Sequence, residues 1–450
     1  MARACVILAA GQGTRMKSAL PKVLHAVAGL PMLGHVIAAA RGAGAERIVV
    51  VSAPNMEGLR AYVTAQGALN AIQDKPLGTG HAALAARAAL HDFDGALLVN
   101  NGDMPMAEAA MMEESLASAE AVGLSLVAFE PADPAQYGRV LRNPDGTLDR
   151  IVEFKDATPE QRAIRLCCAG TYAAASAQKF FAWAARLKND NAQNEYYLPE
   201  VPLIAKGDGV PCAITLADEI TVMGVNSRAE LADAEAQMQK RLRARALAAG
   251  VGMTAPETVF LSHDTVLEPD AHIGPYVVFG PGVTVKGGAQ IKSHSHLEGA
   301  VVEKGALVGP YARLRPGARI GEDAHIGNFV EVKNASIEKG AKANHLTYLG
   351  DARVGAGANI GAGTITCNYD GFDKHHTDIG AGAFIGSNSA LVAPVAIADG
   401  VIVGAGSVIT KPMDKNSLVV TRTEQQEIPG WADRFRSRKK AEKAAKTKGK

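Results

Sequence analysis

The first residues whose types and spacing could do chemistry lie in Leu8-Ala-Ala-Gly-Gln-Gly-Thr-Arg-Met16, at the end of the apolar run Cys5–Ala10. Gly11 and Gly13 carry no side chain, so the backbone there can approach a phosphate or a base closely. Arg15 can grip a phosphate through two hydrogen bonds, and Pro21-Lys22 brings a second cation near the same place. The loop is expected to enter a helix whose first amides favour an anion. A dinucleotide-binding Gly-x-Gly-x-x-Gly would need glycine at position 16, where Met16 stands. The five cysteines, at 5, 167, 168, 212 and 367, form no Cys-x-x-Cys pair and read as reduced thiols.

The elements that must position this loop alternate. Cys5–Ala10 reads as a strand, Leu30–Arg41 as a helix, Arg47–Ser52 as a strand and Gly80–Leu90 as a helix; Ala96–Asn100 and Val122–Phe129 are further strands. Such alternation over residues 1–226 predicts an open, Rossmann-like α/β sheet with ligands at the carboxyl ends of its strands. Residues 227–250 read as a helical linker. Ser227 and Glu230 form a capping box, and acids early with bases late complement the helix dipole.

From Leu267 the period becomes six. Aliphatic or aromatic residues fall at Leu267, Ile273, Phe279, Val285, Ile291 and Leu297, resume at Val302, Val308, Leu314, Ile320, Ile326 and Val332, and run again at Ile379, Ile385, Leu391, Ile397, Val403 and Ile409. Each hexad supplies one flat side of a triangular coil, with the large residue pointing inward. This reading assigns 251–430 to a coiled repeat domain. Between Thr366 and Asp378 the hexads break, so that stretch must project outward, where loops on rigid scaffolds often carry function. Residues 431–450 read as a basic, disordered tail.

Bulk numbers agree. A chain of 450 residues favours two domains, and 5% aromatics with 47 glycines point to small aliphatic cores and many turns. The net charge of +1 hides a tail from Arg434 to Lys450 that carries nine Lys or Arg and one acid. The opening apolar run is too short for a signal segment or a membrane span, so a cytoplasmic protein is expected. The tail reads as solvated, and neither a nucleic acid nor a membrane is expected as partner.

The hexads resemble the left-handed parallel β-helix of the hexapeptide-repeat acyltransferases, which implies acyl transfer and a homotrimer with sites between neighbouring prisms. Gly11-x-Gly13-Thr14-Arg15-Met16 with Pro21-Lys22 is similar to the signature of sugar nucleotidyltransferases. Gln73, Pro76-Leu-Gly-Thr-Gly-His-Ala82, Asn101-Gly102-Asp103, Tyr137-Gly138-Arg139, Ile151-Val-Glu-Phe-Lys155 and Gly224-Val225-Asn226 follow in that family's order. By this resemblance Leu8, Ala9, Ala10, Gly11, Lys22, Gln73, Gly78, Thr79, Gly138, Glu153 and Asn226 bind UTP or the UDP-sugar, with Arg15 in support. Asp103 and Asn226, a carboxylate and an amide oxygen, suit Mg²⁺.

Tyr311-Ala-Arg-Leu-Arg315, Phe329-Val-Glu-Val-Lys333, His345-Leu-Thr-Tyr348 and Asn359 to Gly371 extend the resemblance to nearly the whole chain. The family they resemble is that of the bacterial bifunctional N-acetylglucosamine-1-phosphate uridyltransferases and glucosamine-1-phosphate acetyltransferases, enzymes of UDP-N-acetylglucosamine synthesis that feed peptidoglycan and lipid A. The resemblance makes His345 the general base of acetyl transfer, a role suited to imidazole near neutral pH, with Glu331 orienting the ring. Arg315 and Lys333 would bind the sugar phosphate, and Tyr348 and Asn359 would complete its pocket. Asn368, Tyr369, Ser387, Ala405 and Arg422 would line the acetyl-CoA site, with Ala362 beside the thioester.

Two positions depart from the pattern. Cys168 stands where the family has an Asn that contacts the sugar, and Asn101 where a Tyr often precedes Gly-Asp; a thiol cannot replace both functions of an amide, so no binding role is carried onto Cys168. Two rivals are a nucleotidyltransferase whose prism serves only assembly, opposed by His345, Arg315 and Lys333, and a scaffold or nucleic-acid binder led by the tail.

Overall fold

The computed structural model describes residues 1–191 and 194–448, with side chains described to 445. The chain divides into two compact units, Met1–Ala249 with Phe260–Thr265, and Gly250–Val259 with Val266–Lys450.

The first unit is built on one mixed sheet. Its strands are β1 (Arg3–Leu8), β2 (Arg47–Ser52), β3 (Leu69–Ile72), β4 (Ala96–Asn101), β5 (Leu124–Phe129), β6 (Arg139–Arg142), β7 (Leu148–Val152), β8 (Cys167–Ala174) and β9 (Cys212–Leu216). They lie in the order β9-β5-β8-β4-β1-β2-β3, with β6 and β7 as a hairpin off β8. β1 pairs in parallel with β2 and β4, while β8 runs antiparallel between β4 and β5. Because helices cover both faces, the central strands carry apolar residues on both sides. Ala4 and Val6 join the core on one side, Cys5 and Ile7 the core on the other.

Three expectations change here. The phosphate-binding loop does not enter an α-helix; it runs into a single 3-10 turn at Thr14–Met16, and the first α-helix is Met32–Gly42. Gly13, at φ 60°, and Lys17, at φ 48°, leave the helical region on either side of that turn, so the helix cannot propagate. Gly80–Leu90 is likewise split, into an α-helix Thr79–Ala85 and a 3-10 turn Arg87–Leu90. The helix Arg228–Ala248 belongs to the first unit, as do Phe260–Thr265. Ser227 caps it by accepting from Glu230 N at 3.2 Å, but the Glu230 carboxylate reaches one residue further back than a capping box requires, to Asn226 N at 2.5 Å.

In the second unit, Ile273 faces Ile291 and Phe279 faces Leu297 in parallel register, so one coil is eighteen residues, three hexads. The three faces carry successive hexads, and the inward residues, Ile273, Phe279, Val285 and their successors, are buried. With the hexapeptide pattern this is the left-handed parallel β-helix. Some coils are shorter: Val285 faces Val302, Val332 faces Leu349 and Ala343 faces Ile360, each seventeen residues on. The missing residue is always lost between the second and third faces. The inward series therefore continues through Ile337, Ala343, Leu349, Val354, Ile360 and Thr366, where strict counting by six loses the thread. At the same corner, Val354 faces Ile379 twenty-five residues on, so seven extra residues leave the coil as the projecting loop.

The tail is not disordered as expected: Trp431–Lys448 is α-helical. Its Ala, Lys, Arg and Glu are strong helix formers. Lys439 pairs with Glu442 at 2.8 Å, and Trp431 stacks on Phe435 at 5.1 Å. Residues 449–450 of the predicted tail lie outside the described residues.

Candidate functional site

The carboxyl ends of β1, β3 and β4 come together. Leu8 and Asn101 are register partners, and Gln73 follows β3 directly. Two contiguous clefts of about 510 and 300 Å³ open there, sharing Leu8, Thr79, Asn101 and Glu195. Ala9, Ala10, Gly11, Lys22, Gln73, Gly78 and Asp103 line the smaller; Gly138, Glu153 and Cys168 line the larger. Space over Gly11 is open, whereas a Cβ on Gly13 would stand 2.7 Å from Lys22 Cβ. Gly13 thus presses on Lys22, whose ammonium donates to Asp103 Oδ2 at 2.5 Å and to Asn226 Oδ1 at 2.9 Å. Asp103 and Asn226 therefore aim their oxygens at one cation position. Among the described residues no group of three or more His, Cys, Asp or Glu could hold a metal ion. Arg15 is exposed on its 3-10 turn.

Gln73 is buried and donates to Gly78 O at 3.0 Å, holding the Pro76–Ala82 loop. Gly78, at φ 99°, has Glu195 Cβ and Tyr196 O each 2.8 Å from where its own Cβ would be. Glu195 therefore lines both clefts and Tyr197–Pro199 the larger, a wall that sequence reasoning missed; its only signal was a Tyr-Tyr-Leu-Pro run after an Asn-rich stretch. Gly138 leaves room for Glu153 Oε1, which would lie 3.3 Å from a Cβ there. Burial, then the charge of Asp156, raises the Glu153 carboxyl above its ordinary value. Arg139 turns inward and donates to Pro134 O at 3.2 Å and Ala135 O at 3.1 Å, bracing the loop before β6. Asn101 and Cys168 meet in one cleft because the β8 bulge after Cys168 sets Gly170, at φ 76°, against the Asn101 amide. The Cys168 thiol, pushed up to about 11 by burial, accepts from Gly170 N at 3.3 Å.

In the β-helix the expected residues separate onto two corners. His345, Ala362, Ser387 and Ala405 stack one above the next at the corner between the first and second faces. Leu346, Gly363, Asn388 and Gly406 donate backbone bonds to Asn328, His345, Ala362 and Ser387. Arg422 donates to Ala405 O at 2.7 Å. Below His345 on that corner run Tyr276, His294, Tyr311 and Phe329, stacked at 4.9, 4.9 and 5.2 Å, all with positive φ. Tyr311 is 48% and Phe329 55% exposed.

Arg315, Lys333 and the loop residues Asn368 and Tyr369 occupy the opposite corner. Tyr348 and Glu331 lie on the face between, and Asn359 on the preceding face. Lys374, which sequence reasoning missed because it sits eight residues into the loop, reaches back to Lys333. Lys374, then Arg315, push the Lys333 ammonium below its ordinary value. Asn368 donates to Asp351 at 2.5 Å, and Asp370 accepts from Phe372 N, Asp373 N and the His375 ring, each at 2.8 Å. Glu331 does not orient His345 within this chain. Its carboxylate takes Arg315 at 2.8 Å and Arg313 at 3.8 Å, because the strand register sets those residues beside it, and His345 Nδ1 instead meets Asn328 Oδ1 at 2.7 Å.

The MobA-like NTP transferase domain family matches residues 5–190, and the bacterial transferase hexapeptide family matches 299–334 and 376–411. Curated relatives include proteins named "Bifunctional protein GlmU" from Paramagnetospirillum magneticum, 51% identical over 98% of each chain, and from Sphingopyxis alaskensis, 53% identical over 99% of each. One from Hyphomonas neptunium is 54% identical over 99% of this chain and 97% of its own.

Proposed function

The chain belongs to the family of bifunctional GlmU proteins, and from that membership we propose how its residues divide two reactions. The protein is a bifunctional transferase of UDP-N-acetylglucosamine synthesis: acetyl-CoA and glucosamine 1-phosphate give N-acetylglucosamine 1-phosphate, and UTP then gives the UDP-sugar and pyrophosphate.

In the first unit, Gln73, Gly78 and Thr79 hold the nucleotide, and Gly138 and Glu153 the sugar. The sugar phosphate attacks the α-phosphate of UTP while Arg15 and Lys22 offset charge on the departing pyrophosphate. Asp103 and Asn226, a carboxylate and an amide oxygen that converge on the Lys22 ammonium, would hold Mg²⁺ in place of that ammonium. When bound, it would offset phosphate charge.

In the β-helix, His345 removes the proton from the substrate ammonium and the amine attacks the thioester; coenzyme A leaves as its thiol. Arg315, Lys333 and Lys374 grip the sugar phosphate. The stacking of His345 with Ala362, Ser387 and Ala405 on one corner carries this reading. His345→Ala tests it: acetyl transfer should vanish and uridylyl transfer persist, and equal loss of both in a folded protein would overturn the division.

The assembly we propose is a homotrimer. The His345 corner and the Lys333 corner bound a face of about five extended residues, roughly 16 Å, whereas amine and phosphate occupy neighbouring carbons of the sugar. Setting one prism's His345 corner against its neighbour's Lys333 corner brings both groups to one sugar and covers the aromatic stack. Five free thiols and substrates made inside the cell favour the cytoplasm.

A further inference from the structure

We infer that Asn328 is the positioning residue of acetyl transfer: it fixes the His345 imidazole in the tautomer whose Nε2 is free to act as base. This rests on the reading of His345 as that base. Asn328 and His345 are register partners on adjacent coils, and Asn328 Oδ1 stands 2.7 Å from His345 Nδ1. The same two residues are tied through backbone as well: Leu346 N donates to Asn328 O at 3.1 Å. Thr347 Oγ1 donates to His345 O at 2.7 Å, so the peptide unit that follows the imidazole-bearing residue is held at both its carbonyl and its N–H.

An amide oxygen only accepts, so the ring nitrogen facing it must carry a proton. The lone pair is then on Nε2. Without this bond an exposed histidine rotates and divides between tautomers, and only part of the population presents a base. When Nε2 takes the ammonium proton, Nδ1–H goes on donating to Asn328, so the contact survives the reaction.

The choice of a neutral partner also has a reason. The charged groups around this strand pair are the ammoniums of Lys342, on the strand of His345, and Lys292, on the coil below, while His325 lies on the strand of Asn328. Burial, then Lys292, Lys342 and His345, lowers the His325 ring from its ordinary value. A carboxylate at position 328 would add the missing negative charge and hold His345 as imidazolium. Asn orients the ring without that penalty.

The test uses full-length protein labelled with ¹⁵N-histidine, with the His345 signal assigned by its loss in His345→Ala, alongside acetyl-transfer rates across pH. Wild type should give the Nδ1–H tautomer. Asn328→Ala should give mixed tautomers and a kcat lower by about 10- to 100-fold, with the KM for glucosamine 1-phosphate little changed. Asn328→Asp should keep the tautomer, move the acid limb of the rate profile to higher pH, and recover rate above it. An unchanged tautomer and rate in Asn328→Ala, or an unmoved pH profile in Asn328→Asp, overturns the proposal. Should Asn328→Ala not fold, Asn328→Asp decides alone. Retention of acetyl transfer in His345→Ala is a separate failure, that of the base assignment.

Discussion

Lys22 and Glu153 are the residues of the first unit whose surroundings make definite demands. Lys22 is held by Gly13 behind it and by Asp103 and Asn226 in front. Lys22→Met should lower uridylyl transfer by about 10²-fold, the scale for losing one preorganised charge donor, and leave acetyl transfer unchanged. Glu153 has its carboxyl raised by burial, so the ionised form is the one that folding disfavours. The sign follows: relative to Gln, the ionised carboxylate costs stability above its raised value, and the cost disappears as pH falls below it. Glu153→Gln should therefore raise the melting temperature of the first unit at pH 7 but not near pH 4, while weakening sugar binding; calorimetry at both pH values checks it. Asn101 and Cys168 were legible as separate departures in sequence, but only the bulge at Gly170 puts them in one cleft.

The projecting loop is the element with the clearest consequence. Seven residues separate a twenty-five-residue coil from an ordinary one, and the loop holds itself through Asp370, Phe372 N, Asp373 N and His375. Replacing 369–375 so that the hexads run on should leave the circular dichroism of the β-helix intact and abolish acetyl transfer, since Tyr369 and Lys374 go with it. The loop's position was readable as a break in period. Its partner Lys333 was not connected to Lys374, because chain distance does not report which corner a residue leaves from. The 3-10 turn after Gly13 was also invisible: a glycine in the sequence permits a left-handed φ and does not require one.

For the whole molecule, two predictions concern boundaries and assembly. Gln239 is buried and exchanges hydrogen bonds with Leu261 at 2.7 and 2.8 Å, and His263 N donates to Ala28 O at 2.8 Å. A fragment ending at residue 250 leaves that amide unpaired, so it should melt below a fragment ending at 268. The aromatic stack should control assembly. Tyr311→Ala with Phe329→Ala should shift the sedimenting species from trimer towards monomer and lose acetyl transfer, with uridylyl transfer retained. Sedimentation velocity with both assays on the same sample reads this, and an unaltered trimer would remove the stack from the interface.

By itself the sequence determined the two architectures and their order along the chain, and it nominated candidate residues for each site. Those follow from short-range chemistry: a six-residue period reports one face of a coil, and glycines, cations and a histidine carry their capacities wherever they sit. What the tertiary structure decided is partnership. Strand register set Asn328 and not Glu331 against His345, brought Lys374 to Lys333, and moved Phe260–Thr265 back to the first unit. Register depends on every one-residue shortening and insertion before it, so it is fixed only when the coils stack and each inward side chain finds its neighbour.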